Sequence, residues 1–318
     1  MKRFSLILSA ALLSLVLAGC GKPSLSVGHK SYEPSGMTAV IKGHSNQKTV
    51  TYQINNGSPK KQAVLNGGYA ITLPAKPYQQ TVKLTAGGQR TSTVIQKSPA
   101  IMSYSKFKTT YNQALLATAL SKKDQATAMQ LQKQGAQLQQ QSAKLKAESK
   151  TAQAKLKSGD TSAQATLASL SKQGQQLQAQ GAKLKQTQAA LAPALANAKK
   201  QVAGDTITAK AQTGVYTLKK TANATVRGNV DGGKLIGATL MVPTSSLKSK
   251  AAAKTFMTEL AVLTGSTGAN TQKVLKGFEN KANKKNSSQT TTSTIHSKGI
   301  DFDLGYSKST LYIYVTHH

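Results

Sequence analysis

Few side chains in this 318-residue sequence are spaced for chemistry. Asp301 and Asp303 flank Phe302, and His296 stands five positions earlier. On a strand the two carboxylates project from one face. With His296 they make a weak hydrogen-bonding or metal-ligating set. The simpler reading is a solvated sheet face opposite Phe302 and Leu304. His317 and His318 sit on what the sequence presents as a loose segment, where two imidazoles are not preorganised. His29 and His44 lie among polar residues and read as exposed. Neither a Gly-x-Ser-x-Gly elbow nor a glycine-rich phosphate loop with its lysine occurs. Ten acidic residues spread over the chain leave little material for paired-carboxylate catalysis. The expectation is a non-catalytic protein with no cofactor and no metal.

Cys20 is the single cysteine, so no intramolecular disulfide and no cysteine metal cluster can form. It follows Lys2, Arg3 and an apolar run over 4–18. That run is short of the roughly 20 residues a membrane-spanning helix needs, and it fits the core of an export signal. The run closes on Leu17-Ala18-Gly19-Cys20. Small residues at 18 and 19 admit a peptidase, and a thiol is the good alkylation nucleophile present. In these residues the chain resembles the bacterial lipoprotein family. The resemblance covers the export signal alone. It implies that Cys20 carries a diacylglyceryl group, with palmitate-like chains, after cleavage between Gly19 and Cys20. Two acyl chains anchor a protein stably where one does not. The address implied is the extracytoplasmic face of the cell membrane. Lysine richness without disulfides fits a Gram-positive envelope.

Charge is the stronger clue to a partner. The chain has 42 Lys+Arg against 10 Asp+Glu, a formal charge of +32. Without Lys2 and Arg3 the balance is 40 against 10, or +30. Only Arg3, Arg90 and Arg227 are arginines. Such a field attracts polyanions. Nucleic acid is excluded by the export signal and by the shortage of bidentate base readers. Anionic wall polymers such as teichoic acids, or anionic lipid head groups, remain. Lysines meet them as point charges in a salt-sensitive attraction.

The elements that must position these residues fall into a multidomain α+β arrangement. Residues 1–19 form the signal and 20–35 a polar tether. Residues 36–98 read as a small all-β, immunoglobulin-like sandwich. Within it, Val50, Tyr52 and Ile54 share one face of a strand over Thr49–Ile54, and Asn55-Asn56-Gly57-Ser58 marks a turn. Further strands are expected over 69–73, 81–85 and 91–95. No acidic residue lies between Glu33 and Asp124.

Residues 104–203 change to Ala, Gln, Lys, Leu and Ser, which favour helix. KQGAQLQQQSAKLK at 133–146 returns as KQGQQLQAQGAKLK at 172–185, an offset of 39 with eleven of fourteen positions identical. Leucines recur every seven residues, as in a coiled-coil seam. A turn at 159–160 is expected, with Gly159 left-handed and Thr161 with Gln164 as a capping box. Folding there pairs residues whose numbers sum to 319. Leu138 then faces Gly181, Leu145 faces Gly174, Leu184 faces Gly135, and Leu177 faces Ser142. Leu156 meets Ala163, Leu167 meets Ala152, Leu170 meets Ser149, and Leu191 meets Ala128. The glycines are read as making room for leucines, and Pro193 as kinking or ending the second arm. The resulting antiparallel hairpin is a spacer, or an arm that binds a protein partner. A disordered polar linker is the competing reading.

Residues 205–318 read as an α+β domain with an antiparallel sheet. Strands are expected over 215–218, 224–230 and 235–242, helices over 247–263 and 270–282, a polar loop over 281–289, and strands over 290–296, 300–306 and 310–316.

Overall fold

The computed structural model describes residues 22–247, 250–282 and 294–318. Gly19, Cys20 and the export signal lie outside them, as do 290–293 of the expected strand and most of the expected loop at 281–289. Among the described residues the protein is mixed α+β, with five α-helices and three sheets. It divides into two compact units. One runs to Thr110 and resumes at Ile207. The other is Tyr111–Thr206.

The first unit begins with two facing sheets. One orders β1 (Leu25–Val27), β3 (Thr38–Ser45) and β6 (Gly68–Pro74). The other orders β2 (Ser31–Tyr32), β8 (Gln89–Ile95), β7 (Gln80–Ala86), β4 (Thr49–Ile54) and β5 (Lys60–Ala63). Alternation drives this. In β3, Ala39 and Ile41 point inward while Val40 and Lys42 point out. Ala39, Ile41, Ile71 and Leu73 share one core with Val50, Val82, Leu84 and Ile95 of the other sheet.

The tether expected over 20–35 is corrected here. Residues 25–27 and 31–32 are strands, β1 antiparallel to β3 and β2 parallel to β8. Leu25, Val27 and Tyr32 pack on the core, so burial outweighs the polar composition around them. The Ser45 hydroxyl donates to Ser24 O at 2.7 Å, and Tyr69 Oη donates to Ser26 O at 2.8 Å. Burial pushes the Tyr69 phenol up to about 12, so it stays a donor at neutral pH.

After β9 (Met102–Ser103) the same unit continues with β10 (Gly214–Lys220), β11 (Thr225–Asp231), β12 (Lys234–Pro243), β13 (Ile295–Ser297), β14 (Ile300–Tyr306) and β15 (Thr310–His317). These make an antiparallel sheet ordered β10-β11-β12-β15-β14-β13, with β9 beside the start of β12. Two helices, which we label after the three of the second unit, are α4 (Lys250–Ser266) and α5 (Thr271–Ala282). They pack on this sheet and each other. Leu260, Leu263, Val274 and Phe278 are buried there, as are Phe302, Ile313 and Val315. Lys219 of β10 donates to Glu259 of α4 at 2.6 Å, both buried.

The sequence suggests separate β and α+β domains, but the structure joins them. Asn229 of β11 is fully buried, and its amide donates to Ala75 O at 2.7 Å and Met37 O at 3.2 Å. Lys76 pairs with Asp231 beside it. Gly36, at φ +60°, lies against the Tyr314 ring, where a Cβ would come within 2.8 Å of Cδ1. Only glycine satisfies both constraints.

The second unit is helical. α1 (Tyr104–Thr118) enters it at Tyr111, followed by α2 (Lys122–Lys157) and α3 (Ser162–Val202). The expected first arm is therefore two helices. Ser121 ends the continuity by capping α2, its Oγ accepting from Asp124 N at 3.1 Å and donating to Asp124 Oδ2 at 2.7 Å. The hairpin turn lies at the expected place. Gly159 has φ +91°, Gly159 N donates to Leu156 O, and Asp160 N donates to Lys155 O, both at 3.1 Å. The expected Thr161 cap is corrected: Thr161 precedes α3 with helical backbone angles, and its side chain makes no capping bond. Asp160 replaces it, accepting from Ser162 N at 3.0 Å and from Ser162 Oγ. Those bonds hold the Asp160 carboxyl below its ordinary range. Pro193 does not end α3, which runs on to Val202.

Replacing Asn229 by Ala leaves Ala75 O without that donor in a buried site. The unfolding free energy should fall by about 1–3 kcal/mol. Urea denaturation checks this, and a change below about 0.5 kcal/mol, the scale of an ordinary surface substitution, would refute it.

Candidate functional site

The outer face of the five-stranded sheet is built of cations and hydroxyls. Cross-strand register sets Lys61 opposite Thr51, Thr51 opposite Thr85, and Thr85 opposite Arg90. A second row sets Gln53 opposite Lys83, and Lys83 opposite Ser92. Directly opposed residues share a face. Because Val50, Val82 and Leu84 turn inward, their neighbours must turn outward. Lys61, Lys83 and Arg90 are exposed. Thr51, Gln53, Lys83, Thr85, Arg90 and Ser92 line a shallow depression of about 600 Å³. Lys42, Lys48 and Lys60 add exposed charge to the same module. The sequence signalled the basic module but not which face gathers its cations.

In the helical unit three of the expected pairs, those of leucine with glycine, meet. A Cβ on Gly135 would lie 3.7 Å from Leu184 Cδ2, on Gly174 3.6 Å from Leu145 Cδ2, and on Gly181 3.6 Å from Leu138 Cδ2. The reason given for the glycines is corrected. Such distances are ordinary van der Waals contact, so a methyl group fits without clash. Ala152, Ala163, Leu170 and Leu191 are buried, but Leu156, in the last turn of α2, is 40% exposed. Leu138, Leu145, Leu177 and Leu184 are half-buried. Beside them runs a groove of about 630 Å³ lined by Leu131, Leu138, Leu184 and several glutamines.

The His/Asp set is tighter than the sequence suggests. His296 lies directly opposite Asp301 in the β13–β14 pair. His296 Nδ1 is 2.6 Å from Asp301 Oδ1, and His318 Nδ1 is 3.0 Å from Oδ2. The two imidazoles meet edge to face at 5.1 Å. The expected looseness of His317 and His318 is corrected. β15 extends to His317, paired with Ile300, and His318 N donates to Gly299 O at 2.8 Å. Asp303 is separate, accepting from Thr294 Oγ1. His317 Nδ1 stays with His318 O. His29 rests against Tyr32 and His44 is exposed in β3, both in the β-module. Sequence reasoning missed His318 because its partner is 17 residues away and only the β14–β15 register brings them together.

No protein-family model matches the chain, and no curated protein matches its sequence. A solved structure that it is similar to is the crystal structure of an FMN-binding beta-glucuronidase from Facaelibacterium prausnitzii L2-6. The likeness has 18% identity and a TM-score of 0.22, over 24% of this chain and 12% of that one.

Since a methyl fits at each helical glycine, Gly135→Ala, Gly174→Ala and Gly181→Ala should each stabilise the helical unit. The gain expected is about 0.5–1 kcal/mol apiece from helix propensity. Helicity followed by circular dichroism through thermal unfolding reads it. A loss of stability would show that the close approach requires glycine after all.

Proposed function

We propose that the protein is a lipid-anchored, extracytoplasmic cell-envelope protein without catalytic activity that binds anionic polymers of the wall or membrane through its lysine-rich surface. The observation that carries this reading is the outer sheet face bearing Lys61, Lys83 and Arg90 among hydroxyls, in a stretch with no acidic residue from 34 to 123. Hydroxyls and amides between fixed cations offer phosphate both charge and hydrogen bonds. The anchor is Cys20, and β1 begins five residues later. At about 3.5 Å per residue the start of β1 is held within about 18 Å of the bilayer surface. That is about two Debye lengths at physiological salt, where attraction is largely screened, so the tether supplies nearness and direct contact must supply the attraction. No helix among the described residues is long and apolar enough to cross a membrane.

In this reading α2 and α3 form an antiparallel coiled coil that serves as spacer. A second reading is favoured by one observation, the half-buried leucines beside the 630 Å³ groove. A pair of helices leaves such a seam open on one side, and an envelope protein partner's helix would close it. The hairpin is then the arm of an adaptor.

Co-sedimentation of residues 21–318 with wall sacculi, with and without their teichoic acid and across a salt series, separates the two. The polyanion reading expects binding that needs the phosphate polymer and falls steeply with salt. Lys61→Gln, Lys83→Gln and Arg90→Gln together should weaken it by about tenfold or more, at about 1 kcal/mol per surface cation. Loss of equal charge from the hairpin, at Lys146, Lys157 and Lys185, should weaken it less. Binding indifferent to polymer and salt overturns the reading. A salt-resistant protein partner lost on Leu138→Asp with Leu177→Asp establishes the adaptor instead.

A further inference from the structure

The geometry points to a divalent metal site of two imidazoles and one carboxylate, formed by His296, Asp301 and His318. Their ligand atoms all lie within 4.8 Å of one another. The arrangement is fixed by backbone, not by chance side-chain approach. Lys298 and Gly299, at φ +52° and +76°, make the tight turn that sets His296 across from Asp301. The pairing of Ile300 with His317 and the His318 N–H bond to Gly299 O bring the third group in from β15.

Asp301 is the centre, its side chain only 17% exposed and each oxygen facing one Nδ1. The present Nδ1–O separations of 2.6 and 3.0 Å approach the ligand–ligand edge of a tetrahedral site. That edge is about 3.3 Å for donors about 2.0 Å from zinc. The two contacts go to different carboxylate oxygens, so the imidazoles must also turn toward one another to share an ion, their ligand atoms now lying within 4.8 Å. A neutral imidazole donating from Nδ1 becomes a ligand by carrying its proton on Nε2 instead. The His296 and His318 side chains are 59% and 71% exposed, so water can accept the hydrogen bond from that nitrogen.

Two nitrogen donors with one oxygen select Zn²⁺, Co²⁺, Ni²⁺ or Cu²⁺ over Mg²⁺ and Ca²⁺, which take oxygen. Three protein ligands leave one position for water or an anion. The ion would staple the end of β15 to the β13–β14 hairpin.

The test is calorimetric titration of the full chain, purified in detergent without a histidine tag and stripped with EDTA, using Zn²⁺ and separately Mg²⁺. One equivalent of Zn²⁺ and no Mg²⁺ is expected. His296→Ala, His318→Ala and Asp301→Asn should each weaken Zn²⁺ binding by about tenfold or more, while His317→Ala leaves it unchanged. Co²⁺ substitution should give the visible absorption of a four- or five-coordinate ion, absent in the His296→Ala, His318→Ala double variant. Equal thermal midpoints of variants and parent in EDTA show that loss of binding is not loss of fold. Absence of saturable Zn²⁺ binding, or binding that survives the double variant, overturns the site.

Discussion

The side-chain amide of Asn229 has no exposure, and its protons go to the main-chain carbonyls of Met37 and Ala75. Those carbonyls belong to the β-module, and Asn229 belongs to the seven-stranded sheet. A buried polar group without partners is costly, so each side holds the other in place. Around it Met37 reaches Gly237, Gly36 lies under Tyr314, and Lys76 pairs with Asp231. This joint ties together the two halves of the first compact unit. It fixes the sandwich and the α+β sheet as one body, although the whole helical unit separates them in sequence.

The acidic residues are largely consumed by internal partners. Asp231 holds Lys76, Glu259 holds Lys219, and Glu148 reaches Lys144. Asp124 and Asp160 sit at helix starts, Asp303 accepts from Thr294, and Asp301 stands between two imidazoles. Each of these carboxylates has a local structural duty. With 42 basic residues against 10 acidic, the lysine field is little compensated and its sign is set by composition. Where it becomes a surface with shape is decided by strand register, which gathers Lys61, Lys83 and Arg90 on one side of a sheet.

Strands with strict alternation were legible, because burial of every second side chain leaves a period in the sequence. Thr49–Ile54 matches residue for residue, and β7 and β8 extend their expected cores by a residue or two. The hairpin turn was legible through Gly159. Short strands were not. β1 and β2 have three and two residues, too few for a period, and they owe their conformation to the core they cover. The break before α2 is carried by Ser121 and Asp124 inside a run of good helix formers, where composition masks a local cap. At the His/Asp set, neighbours on one strand pair were readable and the third group was not. Register between β14 and β15 depends on the whole sheet, which no local pattern records.

The helical repeat carries an additional constraint. Pairing positions that sum to 319 and copying the segment with an offset of 39 are compatible operations. The contact of Gly135 with Leu184 becomes that of Gly174 with Leu145 when both the copy and the partner are exchanged. The hairpin is thus a segment paired with its own copy about a local two-fold axis, as in an isologous dimer. Such pairing needs a surface that complements itself: small residues must stand where the copy places leucines. Gly135 and Leu145 meet that demand in the first copy, and Gly174 and Leu184 in the second. Leu138 with Gly181 has its counterpart in Leu177 with Ser142, so the single change from Ser142 to Gly181 keeps the position small. Methyl-sized space at each contact means that selection for a small residue, rather than for glycine, suffices to maintain the seam.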